Sequence, residues 1–161
     1  MQPIKEIKRQ SIGMGQEGLK FDKMEDFTKS RFGRENPIIL RDYGRNIYEK
    51  GRRIGYSLDI RICGYRGLPV NAINNLVFEV DGVAIPDAVK YIQYEDREYP
   101  LAQVGTEKIE NYWFWKYGDW MRVYFAIPGG IPQGVHEVAF GLSLRDHYSS
   151  AAWCKKPVTI V

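Results

Sequence analysis

Two histidines, His136 and His147, and two cysteines, Cys63 and Cys154, are all the imidazoles and thiols of a 161-residue chain. A metal centre draws three or four convergent ligands together, and nothing in the spacing of these residues provides such a set. His147 stands in Arg145-Asp146-His147-Tyr148. Adjacent residues on a strand point to opposite faces, so Asp146 and His147 do not make a catalytic pair. His136 falls on the apolar register of its strand near a loop, the setting of a hydrogen-bonded rim histidine. The carboxylate pairs Glu95-Asp96 and Glu107/Glu110 lie in polar, loop-like sequence and read as solvated charges. Gly13–Gly18 has the GxGxxG spacing of a dinucleotide motif. It follows no predicted strand and opens no βαβ unit, so a phosphate would find no helix N-terminus there. No catalytic residue and no metal ligand is assigned.

The remaining chemistry-bearing residues are those of contact surfaces. Asn111–Trp120 reads NYWFWKYGDW, and Tyr65-Arg66 leads into Gly67-Leu68-Pro69. Trp, Tyr and Arg dominate interfaces because they bury much area for little lost side-chain entropy. Core filling, a partner interface and ligand contact all remain open for them. Tyr65, Arg66, Trp113, Trp115 and Trp120 are the candidates for a partner- or substrate-facing surface.

The elements that must position them are strands. Ile54, Tyr56, Leu58, Ile60 and Ile62 alternate with Arg53, Gly55, Ser57, Asp59 and Arg61, the signature of a half-buried strand. Asp81-Gly82 between two apolar runs predicts a tight hairpin whose turn positions both need positive φ. Met121, Val123, Phe125 and Ile127 make one face of the next clear strand, with Trp120, Arg122, Tyr124 and Ala126 on the other. After a Gly/Pro loop, Val138, Phe140, Leu142 and Leu144 point inward from another. These short-spaced strands predict an all-β fold, an antiparallel β-sandwich over residues 36–161. Residues 1–35 have little periodicity and read as an extended N-terminal arm that needs a surface to lie on, with a short helix around Lys20–Lys29.

The bulk numbers agree with one domain carrying its own core. Aromatics reach 14%, with 11 Tyr and 4 Trp, which favours strands and contact surfaces. The net charge of +3 is unevenly spread: residues 1–66 hold 15 Lys/Arg against 9 Asp/Glu, and the remainder 8 against 11. No dense basic run appears, so nucleic acid is not an expected partner. Two distant cysteines suit a reducing compartment. The first residues lack an apolar leader and no run approaches the roughly 18 apolar residues that cross a bilayer. The expected location is the cytoplasm, with no membrane.

At GYSLDIRICGYRGLPVNAINNLVFEVDG and again at AIPGGIPQGVHEVAFGLSLR the chain resembles the small β subunit of bacterial C-glycoside deglycosidases. The resemblance covers about residues 36–150. It rests on the order YRG-L-P, an apolar strand ending in Val-Asp-Gly, a Pro-Gly-Gly loop and Gly-x-His opening a long strand. It implies a β-sandwich partnered by a TIM-barrel α subunit, which carries a divalent metal (Mn or Mg) and the catalytic base. The implied reaction cleaves the C–C bond between a 3-oxo-glucosyl group and an aromatic, flavonoid-type aglycone. On this reading the present chain is accessory, holds no cofactor itself, and turns Tyr65 and Arg66 toward the α subunit or the aglycone. A carbohydrate-binding β-sandwich and a structural adaptor for another enzyme are the competing readings.

Overall fold

The computed structural model describes residues 21–104, 114–145 and 150–161. Helix α1 (Met24–Lys29) precedes strand β1 (Gly33–Glu35), and a first hairpin follows, made of β2 (Tyr43–Glu49) and β3 (Arg52–Ile60). Next come β4 (Leu68–Pro69), β5 (Ile73–Val80), β6 (Val83–Ala84), β7 (Lys90–Tyr94) and β8 (Arg97–Pro100). The chain ends with β9 (Phe114–Trp115), β10 (Met121–Phe125), β11 (Gly134–Leu144) and β12 (Ala151–Ile160).

Three two-residue turns set much of the pairing. Asp81 and Gly82, between β5 and β6, have φ of 51° and 81°, the double positive value that the Asp-Gly pair predicts. Lys50-Gly51 turns β2 into β3 in the same way, at 52° and 78°. Glu95 and Asp96, at 48° and 62°, do so between β7 and β8 without a glycine. The Glu95-Asp96 carboxylates are therefore exposed turn residues.

Ten strands form one mixed sheet in the order β6-β5-β11-β12-β2-β3-β10-β7-β8, with β1 beside β12. The fold is all-β, as expected, with two features that an antiparallel sandwich does not include. First, β1 and β2 both pair with β12 in parallel. They lie in succession along its edge. Between them Pro37, which has no N–H to give a ladder, starts a tight turn whose Ile38 N–H donates to the Asn36 side chain at 3.3 Å. Second, the two halves belong to one curled sheet. The half β6-β5-β11-β12 faces the half β2-β3-β10-β7-β8: Phe78 of β5, stacked on its strand neighbour Phe140 of β11 at 4.7 Å, meets Phe125 of β10 edge-on across the core at 5.0 Å. Buried Lys90 of β7 clips the halves together, its Nζ donating to the Leu76 carbonyl at 2.7 Å and to Asp87 at 2.8 Å. Burial holds its pKa below the ordinary lysine value, with Asp87 opposing.

The surface that the N-terminal segment needs is the sheet's own outer face. Phe21, Met24 and Phe27 are buried against Val77, Ala139 and Ala151. Room for Phe27 exists because β11 carries glycine at 141, where a Cβ would stand 2.6 Å from the ring. Residues 21–35 thus pack, through α1 and β1, onto β5, β11 and β12. The expected helix is present as Met24–Lys29. The rest of the arm, with Gly13–Gly18, lies outside the described residues.

Candidate functional site

Leu40 and Ile60 bridge each other and point into the core. Backbone bonds from Arg61 N to Ile39 O (2.8 Å) and from Arg41 N to Asp59 O (3.0 Å) extend this pairing. Alternation then turns Arg41, Asp59 and Arg61 to the outer face. Opposite them β10 pairs Met121 with Ile60 and Arg122 with Asp59. Continued by one residue, that register sets Trp120 against Arg61.

The result is a compact cation–aromatic cluster. The Arg61 guanidinium lies 3.9 Å from the Trp120 ring centre, and that of Arg41 lies 4.9 Å from both Trp120 and Tyr43. Asp59 accepts from Arg41 Nη1 at 2.9 Å and stands 3.6 Å from Arg122 Nε. The loop that delivers Trp120 is tied down behind it. Tyr94 Oη donates to Asp119 at 2.6 Å and accepts from Lys116 N at 3.0 Å, while Trp115 Nε1 donates to the Asp119 carbonyl at 3.1 Å. Burial, then the Asp119 contact, push the Tyr94 hydroxyl up to about 12.

Arg41 and Trp120 form a ridge between two open depressions. One, of about 670 Å³, has an acidic rim with Glu95, Asp96, Glu98 and Asp119. The other, of about 500 Å³, is lined by Pro37, Ile38, Tyr43, Arg61 and Lys156. Lys156 donates to Asp42 at 2.9 Å and to the Pro37 carbonyl at 3.0 Å, and the Lys156 bond holds the Asp42 carboxyl below its ordinary pKa. This face carries mixed charge and aromatic area, and no base is set beside a nucleophile.

The candidate residues separate. Trp120 lies on the outer face, at the centre of the cluster. Trp115, one of the candidates for which core filling was open, is fully buried: β9 pairs Leu68 of β4 with Trp115 and turns its ring into the core. Tyr65 is 82% exposed in the loop before β4, with the Arg66 guanidinium 5.8 Å from its ring. The β4–β9 ladder brings that loop beside half-exposed Phe114, whose ring packs on the Cα side of Gly67. Trp113, His147 and Glu107/Glu110 lie outside the described residues. Arg41 was missed by sequence reasoning. The alternation in β3 already puts Asp59 and Arg61 on one face, but only the long-range bridge to β3 brings Arg41 to them.

His136 is a satisfied rim residue, its Nδ1 donating to Asp81 and its Nε2 to the Pro132 carbonyl, both at 2.6 Å. Both cysteines are free. Burial pushes the Cys154 thiol up to about 12 and raises Cys63 as well, so neither is a ready thiolate. Among the described residues no three His, Cys, Asp or Glu side chains stand together as metal ligands.

A family model described as C-glycoside deglycosidase beta subunit matches residues 34–148, a span that holds Arg41, Asp59, Arg61, Trp120 and Arg122. Over 99 residues the chain is 33% identical to the 3'-dehydrocarminate deglycosidase beta subunit of Microbacterium sp, covering 61% of this chain and 71% of that one. With the match spanning most of its curled sheet, this chain belongs to the C-glycoside deglycosidase beta subunit family.

Proposed function

We propose that the chain is the accessory subunit of a heteromeric enzyme that cleaves the C–C bond of 3-oxo-C-glucosides of aromatic, flavonoid-type aglycones. The family match over residues 34–148 carries this reading. The relative is named for a 3'-dehydro compound, which supports an oxidised sugar as the substrate class. A TIM-barrel α subunit holds the divalent metal and the base. The described residues of the present chain do not fit a metal centre, since no ligand cluster exists among them, and no chemical step is assigned to them. A C3 ketone acidifies the neighbouring C–H, so a base on the partner suffices to start the elimination. The β subunit completes and covers the site, excluding water from the charged intermediate. The location proposed is the cytoplasm; no helix among the described residues is long and apolar enough to cross a membrane.

The test is reconstitution. The chain purified alone is expected to release no aglycone from a 3-oxo-C-glucoside, and a mixture with the α subunit to release it. Turnover by this chain alone, or full turnover by the α subunit alone, would overturn the division of labour.

A further inference from the structure

The depression of about 500 Å³ beside Trp120 contains one cation more than its surroundings neutralise. Arg41 is paired with Asp59 and Lys156 with Asp42. Arg61 is different. Its guanidinium carbon lies 3.9 Å from the Trp120 ring centre, its Nε is covered and has no hydrogen-bond acceptor, and no carboxylate among the described residues forms an ion pair with it. The walls beside it are mixed and open to solvent: Ile38 and Tyr43, 66% and 46% exposed, stand with the Lys156–Asp42 ion pair, whose charges cancel.

We propose that this groove receives a carboxylate side chain of the α subunit, flanked by an apolar residue that lies against Ile38 and Tyr43, and that assembly supplies Arg61 with its missing counter-ion. This deepens the reading of the chain as a β subunit and rests on it. Charge complementarity selects an acidic occupant. The chain's own first 20 residues are a poor match, since they carry four Lys/Arg against two Glu and share the sign of the groove. The open shape favours a macromolecular surface over a small ligand, which is ordinarily enclosed on most sides. Trp, Tyr and Arg together are the composition of an interface hot spot. Contact with Trp120 holds the planar guanidinium before the partner arrives, so its two-pronged bond to a carboxylate costs little further ordering.

The experiment measures the Kd of the purified chain for the α subunit, with the melting temperature of each variant as a folding control. Wild-type assembly comes first; if it fails, the proposed function falls and the groove is not what failed. Given assembly, Arg61→Met should weaken binding by about tenfold to a hundredfold and flatten its dependence on salt. Arg61→Lys should recover only part, because an ammonium lacks the fork. Ile38→Asp, on an exposed wall where folding is not at stake, should weaken binding too by repelling the incoming carboxylate. Unchanged Kd in both Arg61→Met and Ile38→Asp would overturn the proposal. A normal Kd with a raised KM for the glucoside would also overturn it, assigning the groove to substrate. Altered self-association of the chain alone would overturn it in favour of a second copy.

Discussion

Asp81, at the tip of the β5–β6 hairpin, holds His136 of β11 by a 2.6 Å bond to Nδ1 while its other oxygen accepts from Glu137 N at 3.0 Å. The second ring nitrogen of His136 faces the Pro132 carbonyl, which can only accept. Both contacts are satisfied at once only when the ring carries two protons. A tight turn is thereby joined to the strand beside it through an ion pair at the edge of the sheet.

Stability should accordingly depend on pH in two places. The Asp81 bond, with burial opposing, holds His136 above its usual 6.5, so its contribution is full below that value and fades as pH rises through the folded-state pKa. The bonds from His136 and Glu137 hold Asp81 below its usual 3.8, so its contribution is full above that value and fades as pH falls through the lowered one. The pair is complete between these two ordinary values. Thermal melts across pH should show both edges in the wild type, and Asp81→Asn should flatten them. Parallel profiles for the two proteins would count against the pair.

Gly82 tests the turn itself. No atom lies near its missing Cβ, so a substitution there meets strain and not a clash. Gly82→Val puts a β-branched side chain at φ 81° and should cost more than about 1 kcal/mol, whereas Gly82→Asn, a residue that tolerates this region, should cost less. Equal denaturation midpoints for the two variants would mean that the turn accepts another geometry.

The packed N-terminal segment sets what truncation should do. Phe27→Ala empties a fully buried site on the outer face of β11 and should cost about 3–5 kcal/mol. Deletion through residue 30 removes Phe21, Met24 and Phe27 together and should lower the melting temperature markedly. Deletion through residue 20 leaves all three in place and should lower it far less. Equal melting of both truncated chains would show that α1 contributes nothing to the core.

The two described tryptophans with candidate roles should behave oppositely. Trp115→Ala opens a core cavity and should cost about 3–5 kcal/mol in chemical denaturation. Trp120→Ala removes two cation–π contacts, each of about 0.5–1 kcal/mol, and should spare most of the stability. A larger loss at Trp120 than at Trp115 would reverse their assignment to surface and core.

Local alternation and turn chemistry let the sequence alone determine several parts of this protein. Strict period-2 patterns in β3, β10 and β11 name the inward residues Leu58, Val123 and Phe140, because a strand's faces are set by geometry between neighbours. Asp81-Gly82 names its turn, since few residue pairs accept positive φ twice. The same logic sends Arg61 and Trp120 outward, and a few short motifs in order were enough to suggest the family. Pairing between distant segments was decided only in the tertiary structure. The parallel partners of β12, the seat of Phe27 over Gly141 and the arrival of Arg41 at Asp59 each depend on contacts far apart in the chain, which no local pattern encodes. Trp115 and Trp120 show the limit most plainly. They lie five residues apart in one aromatic run; alternation in β10 already turns Trp120 outward, but only the β4–β9 ladder sends Trp115 into the core.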